Sequence, residues 1–295
     1  MRERSARGVV AAQIGLAVNA LLVIVKITTG VLGNSYALIA DGVESSLDIF
    51  SSLITWRGLE VAGRAADDKY HFGYGKAEAV AGAAVAALLL VAAVGISIEA
   101  VREILRPHQA PASFTLYVLV GVILVKETLF RTVLRIGDRI DSLAVRADAW
   151  HHRSDAITSV AAFTGIALAV FGGERFWAAD DVAAIVASVI IAYNGVRLLS
   201  PAVDDLMDRA PDAGVLENAR AAAESIDGVR EVEKLLARRG GVGYFVTLHV
   251  QADPEMSLRE AHRVGHRCKD AITRSMPNVL DVFVHMEPHR EHYEG

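Results

Sequence analysis

The chain contains one cysteine, Cys268, in 295 residues, so no intrachain disulfide can form. It has only 7 prolines, and hydrophobic residues make up 53%, which excludes a collagen-like or disordered chain. A basic surplus is also missing. The formal net charge is −5, against the expectation for a nucleic-acid-binding module. No His-Glu-x-x-His pair, no Ser/His/Asp order and no nucleophile elbow is present, so no common hydrolytic site is visible.

What is present is unevenly distributed. Residues 1–200 hold 18 Lys/Arg and 18 Asp/Glu, while residues 201–295 hold 12 and 17. Six of the ten histidines also fall in that tail. Ala79–Ile98 runs for twenty residues without charge, and Gly8–Val25 and Ala156–Gly173 for eighteen each. About 20 apolar residues span a bilayer as a helix. Segments near 36–60, 112–136 and 180–200 complete a set of six. The first is too long for a signal peptide and is followed by further spans. Lys and Arg concentrate before the first span and in the second-to-third and fourth-to-fifth connections. This predicts both termini on the cytoplasmic side. Small residues on the third span (Gly82, Ala83, Ala86, Ala87 and Gly95) are expected to allow close helix packing.

After Pro201 the pattern changes. Pro211–Ile226 reads as a helix capped by Asp212. Val229–Ala237 and Tyr244–Gln251 read as strands around a turn at Arg239-Gly240-Gly241. Ser257–Met276 is helical, with Ser257 and Glu260 in capping-box spacing, and Val279–Met286 is a third strand. The expected architecture is a multi-pass α-helical membrane domain of six transmembrane helices, residues 1–205. A C-terminal α+β ferredoxin-like cytoplasmic domain follows, residues 206–295. Such a domain is small for an independent core, which favours dimerisation.

Ionisable residues inside the apolar spans are the informative ones, because such groups cost kilocalories unless paired. Glu44 and Asp48 lie four apart on the second helix and share a face, with Asp41 a turn earlier. His151 and Asp155 repeat the spacing on the fifth helix. Together they supply three carboxylates and one imidazole, a shell suited to tetrahedral Zn²⁺, with Fe²⁺, Co²⁺ or Mn²⁺ also compatible. The competing reading is a buried ion-pair network in which Arg153 and Lys126 neutralise the carboxylates.

These residues resemble the cation diffusion facilitators, dimeric divalent-cation/proton antiporters. The resemblance rests on Asp-x-x-Glu-x-x-x-Asp at 41–48, Phe-Gly-Tyr-Gly-Lys-Ala-Glu at 72–78 and Arg-Ala-Asp-Ala-Trp-His-His-Arg-Ser-Asp at 146–155. It implies that Glu44, Asp48, His151 and Asp155 are the transport-site ligands, with Glu44 where relatives usually have Asp or His. A second, loop site of some relatives is expected to be absent or weak. Asp67 is kept and His71 is nearby, but Tyr70 and Tyr74 occupy the histidine positions, and phenols are poor ligands at neutral pH.

In the tail the resemblance implies a binuclear metal site near a dimer interface, at Glu233, His249, His262, His285 and Glu287. Lys76 and Asp208 match a charge interlock at the membrane surface. Independently, His249 and His285 fall on predicted strands, and His262 and His266 share a helical face. His289 and His292 are expected to belong to a disordered terminus. The function expected is export of a divalent cation, Zn²⁺ foremost, across the cell (inner) membrane by a homodimer. Protons move the other way, and metal on the tail regulates the process. A non-transporting membrane metal sensor is the alternative. No nucleic acid partner and no enzymatic activity are expected.

Overall fold

The computed structural model describes residues 2–105, 110–140, 143–241 and 243–289. Six long helices come first: α1 (Arg2–Leu32), α2 (Tyr36–Ala62), α3 (Ala77–Leu105), α4 (Phe114–Ile140), α5 (Leu143–Phe171) and α6 (Ala179–Leu206). Among the described residues three are long and apolar enough to cross a membrane by length and composition: α1 over Gly15–Leu32, α3 and α6. α2, α4 and α5 bear the charges that the transport-site reading concerns. Large apolar side chains point outward on these helices, among them Leu21, Val91, Val94, Leu124 and Val189. Contiguous exposed apolar surface of this kind is what a lipid-facing bundle presents.

The chain divides into two compact units, one of residues 1–54 and 84–198, the other of 55–83 and 199–295. In the first, Leu38, Leu119, Ala162 and Ile166 form a core between α2, α4 and α5. The start of α2 is capped from two sides. Ser35 Oγ accepts from the Leu38 amide at 3.2 Å and donates to Asp180 Oδ1 at 2.7 Å. Asp180 Oδ2 in turn accepts from the Tyr36 amide at 2.6 Å. A buried carboxylate in the first turn of α6 thereby satisfies orphan donors of α2. Of the small residues on α3, Ala86 is fully buried, whereas a Cβ at Gly95 would meet nothing within 4 Å among the described residues.

In the second unit, α7 (Ala213–Glu224) is followed by β1 (Glu231–Gly240), β2 (Gly243–Ala252), α8 (Leu258–Ser275) and β3 (Val279–Pro288). β2 is central, antiparallel to β1 and parallel to β3. Alternation along β2 sends Val246, Leu248 and Val250 to a core with Val264, Cys268 and Ile272 of α8 and Ala219 and Ala223 of α7. Cys268 is fully buried there, and burial pushes its thiol up to about 11. It is a packing residue. Ser257 caps α8 as its spacing predicts, accepting from the Glu260 amide. Asp212 stands at the cap position of α7, but its side chain makes no cap hydrogen bond. The expected turn at 239–241 also shifts. Arg239 and Gly240 pair with Tyr244 and Gly243, so the strand runs to Gly240. The residue that leaves the ladder is Gly241, with φ of 74°.

Candidate metal sites

The sequence places Asp41, Glu44 and Asp48 on one face of α2, and the fold turns that face inward. Asp41 is 3% exposed and pairs with Lys26 of α1, Nζ to Oδ2 at 2.7 Å. Ser159 Oγ of α5 lies 3.1 and 2.9 Å from the two Asp41 oxygens. Lys26 also donates to Ser45 Oγ at 3.1 Å and to Ser159 Oγ at 3.2 Å. The buried ammonium therefore has three oxygen partners, as burial of a charge requires. Lys26 was not among the expected partners. Its signal was available: a lone ammonium following an uncharged run of apolar helix needs a partner.

Glu44 lies one turn beyond Asp41, within electrostatic reach of Asp41, Asp48, Asp155 and Lys26. With Asp41 it lines a cavity of about 330 Å³ between α2, α5 and α6. The rest of the lining is mostly small: Ala37, Ala161, Ala162, Gly165 and Ala183 among others. Asp155 on α5 is held by Lys126 of α4, Nζ to Oδ2 at 2.5 Å, with Lys126 1% exposed. Lys126 thus neutralises a carboxylate as one expectation had it. Arg153 does not: its guanidinium stacks on Phe130 at 4.9 Å and Trp150 at 5.3 Å. His151 is on α5, four residues before Asp155, and its side chain lies outside the described residues.

The α2–α3 loop organises Asp67 in another way. Its Oδ2 accepts from the Tyr74 hydroxyl at 2.7 Å, and Oδ1 accepts from the amides of Lys69 at 2.9 Å and Tyr70 at 2.8 Å. The Tyr74 hydrogen bond, then those of Tyr70 and Lys69, hold this carboxyl below the usual range. His71 Nε2 meets the Asp68 carbonyl at 3.1 Å. Both Asp67 oxygens are committed to the turn, and no group of three ligand atoms forms there among the described residues. Tyr74 thus acts as a hydrogen-bond donor that fixes the turn.

Lys76 and Asp208 meet, Nζ to Oδ1 at 2.8 Å, and Arg238 of β1 approaches the same oxygen at 3.3 Å. Asp208 adopts a left-handed φ of 55° just beyond α6, a conformation Asp tolerates better than most residues. Gly75 fits against the hairpin because a Cβ there would meet the Gly240 carbonyl oxygen at 2.4 Å.

The tail gathers three of its five expected ligands. His249 Nδ1 lies 2.7 Å from Glu287 Oε1, and His285 Nε2 lies 3.4 Å from the same atom. Ligand atoms of this trio all fall within 4.8 Å of one another. Register explains the meeting, since His249 pairs with His285 and Gln251 with Glu287 on adjacent strands. Glu233 sits at an irregularity of β1, accepts from Gln251 Nε2 at 3.1 Å and lies beside Glu287. Hydrogen bonding to Glu233, then to His249, holds Glu287 below the usual range. Within one chain, among the described residues, His262 does not join the trio. It packs against His266, ring centroids 4.6 Å apart, in a pocket with Val282, Val284 and Met286. Those residues alternate with Phe283, His285 and Glu287, so His262 lies on the opposite side of the sheet. His289 is ordered against expectation, Nδ1 2.8 Å from Gln251 Oε1, while His292 lies outside the described residues.

Carboxylates enclosed among apolar helices, joined to a domain with a His/His/Glu cluster, define a membrane protein that handles cations. Residues 12–207 match the cation efflux transmembrane domain and residues 211–289 the cation efflux protein cytoplasmic domain. The chain belongs to the cation diffusion facilitator family and is a membrane-embedded metal cation efflux transporter. It is similar to the manganese efflux system protein MneP of Bacillus subtilis, 29% identical over 98% of each chain. It is also similar to the magnetosome protein MamB of Magnetospirillum gryphiswaldense, 29% identical over 88% of this chain and 86% of that one. The cation-efflux pump FieF of Pectobacterium atrosepticum is 31% identical over 92% of this chain and 90% of its own length.

Proposed function

We propose that the chain exports a divalent transition-metal cation from the cytoplasm in exchange for protons, with Zn²⁺ the ion its donors fit best. The observation that carries this reading is the gathering of Glu44, Asp48 and Asp155, on α2 and α5, with both aspartates within electrostatic reach of Glu44 and Glu44 lining a small-residue cavity. With His151 on the same helix as Asp155, these residues form the transport site. Three oxygens and one nitrogen suit tetrahedral Zn²⁺. Ligands bind metal in their deprotonated form, so metal entry from the cytoplasm releases protons, and protonation from outside promotes metal release. The site stays near mid-membrane while the helices rock around it. With all donors engaged by the transported ion, no open position is left for bond chemistry, which favours a transporter over an enzyme.

Mn²⁺ is the second reading. It is favoured by the oxygen-rich donor set and by the likeness to a relative named for manganese efflux.

The protein acts as a homodimer in the cell (inner) membrane, with both termini cytoplasmic. His249, His285 and Glu287 would hold a regulatory divalent ion on the cytoplasmic domain, with Glu233 supporting Glu287. The ion would supply positive charge to an acidic domain and draw two such domains together. Metal-driven flux in proteoliposomes tests the reading. Zn²⁺ and Mn²⁺ uptake, each with counter-moving protons, is expected to be lost in Asp48→Ala and Asp155→Ala. Undiminished flux in both variants would overturn the site.

A further inference from the structure

Two lysines are enclosed within the first unit, and they are held in different ways. Lys26 has three oxygen partners, Asp41, Ser45 and Ser159, at 2.7, 3.1 and 3.2 Å. None of the three belongs to the proposed ligand set, so this ammonium can stay where it is when metal binds. Lys126 is 1% exposed, and among the described residues its one hydrogen-bond partner is Asp155 Oδ2, at 2.5 Å. That partner is a proposed ligand.

The charges of this region point the same way. Lys126 already lies against an Asp155 oxygen, and a divalent ion held by Asp155 would stand beside that ammonium. In a poorly solvated interior, an ammonium and a dication both drawn to one carboxylate repel each other strongly. Metal and Lys126 therefore compete for Asp155. When metal leaves, a carboxylate without its cation would be costly at this depth, and the ammonium is already tethered nearby.

We propose that Lys126 is an internal cation that holds Asp155 in the metal-free protein and is displaced by the incoming divalent ion, limiting affinity and hastening release. This rests on the transport-site assignment above. Lys126 is thus a positioning residue with a distinct kinetic signature. An ammonium that only fastened α4 to α5 would, when removed, lower the yield of folded protein or weaken metal binding. A competitor, when removed, makes metal bind more tightly and leave more slowly.

The test is Zn²⁺ flux and Zn²⁺ binding by the full-length protein in proteoliposomes, comparing wild type with Lys126→Gln and the near-isosteric Lys126→Met. Both variants are expected to lower the half-saturating Zn²⁺ concentration about tenfold or more, because a positive charge beside the site is gone. Maximal flux is expected to fall together with it. Half-saturation that stays constant or rises would overturn the proposal. A measurement on wild type stands independently of variant folding. The ¹⁵Nζ resonance of Lys126 is expected to shift on Zn²⁺ saturation while that of Lys26 holds, and an immobile Lys126 signal would equally refute displacement. Asp155→Ala separates the two ideas. If it leaves flux intact, the transport site itself is misassigned. If it abolishes flux while the Lys126 variants show no gain in affinity, only the role of Lys126 fails.

Discussion

The ammonium of Lys26 lies 2.7 Å from Oδ2 of Asp41, and the two side chains are 0% and 4% exposed. This pair joins α1 to α2, and Ser159 of α5 binds both members. Breaking it from one side leaves a buried, uncompensated charge. Lys26→Met is expected to cost roughly 3–5 kcal/mol of stability. Thermal unfolding of the detergent-solubilised protein should show a large drop in midpoint. Replacing both partners, as in Lys26→Met with Asp41→Leu, should recover much of the loss, since two apolar groups leave no charge behind.

On the cytoplasmic domain, His249 and Glu287 are 2.7 Å apart and share the open face of the sheet with His285. Calorimetric Zn²⁺ titration of the full chain is expected to lose a binding component in His249→Ala and Glu287→Gln, with affinity down about tenfold or more. His262→Ala is expected to leave that component in place within one chain, because His262 lies across the sheet with His266. An isotherm indifferent to His249 and Glu287 would reject the cluster.

The Asp208 carboxyl is held below its ordinary range, first by the hydrogen bond from Lys76 and then by Arg238. A depressed carboxyl stabilises the fold above its unfolded pKa, near 3.9. That contribution disappears as pH falls through the folded value. At 45% side-chain exposure the Lys76 pair is partly screened, so Lys76→Ala should cost no more than about 1 kcal/mol at neutral pH. Denaturation of wild type and Lys76→Ala should differ at pH 7 and converge in strong acid. A difference that persists in acid would assign the effect to packing.

Some features are local enough to be visible in one dimension. The helix of the tail that Ser257 caps, and the strands carrying His249 and His285, follow from capping residues and periodicity. The carboxylates of α2 share a face because 3.6 residues make a turn. Other placements are decided by tertiary packing. Arg153 was a fair partner for a carboxylate by composition, yet Phe130 and Trp150 offer it aromatic faces. His262 has the right residue type, but strand alternation puts it on the wrong side of the sheet for the His249 cluster. Tyr74 looks like a lost ligand and is a hydrogen-bond donor that fixes Asp67.

By itself the sequence determined the class of molecule. Long apolar helices and a His-rich α+β tail are written in hydrophobic period, charge placement and turn residues, which act over a few neighbours. Only the tertiary structure decided how the intramembrane charges are balanced. Lys26 meets Asp41, and Lys126 meets Asp155, across helices whose approach depends on packing along their whole length. A lone buried charge is too costly to be left without a partner, so its presence in an apolar helix says that a partner exists. Which residue that is depends on which helices touch.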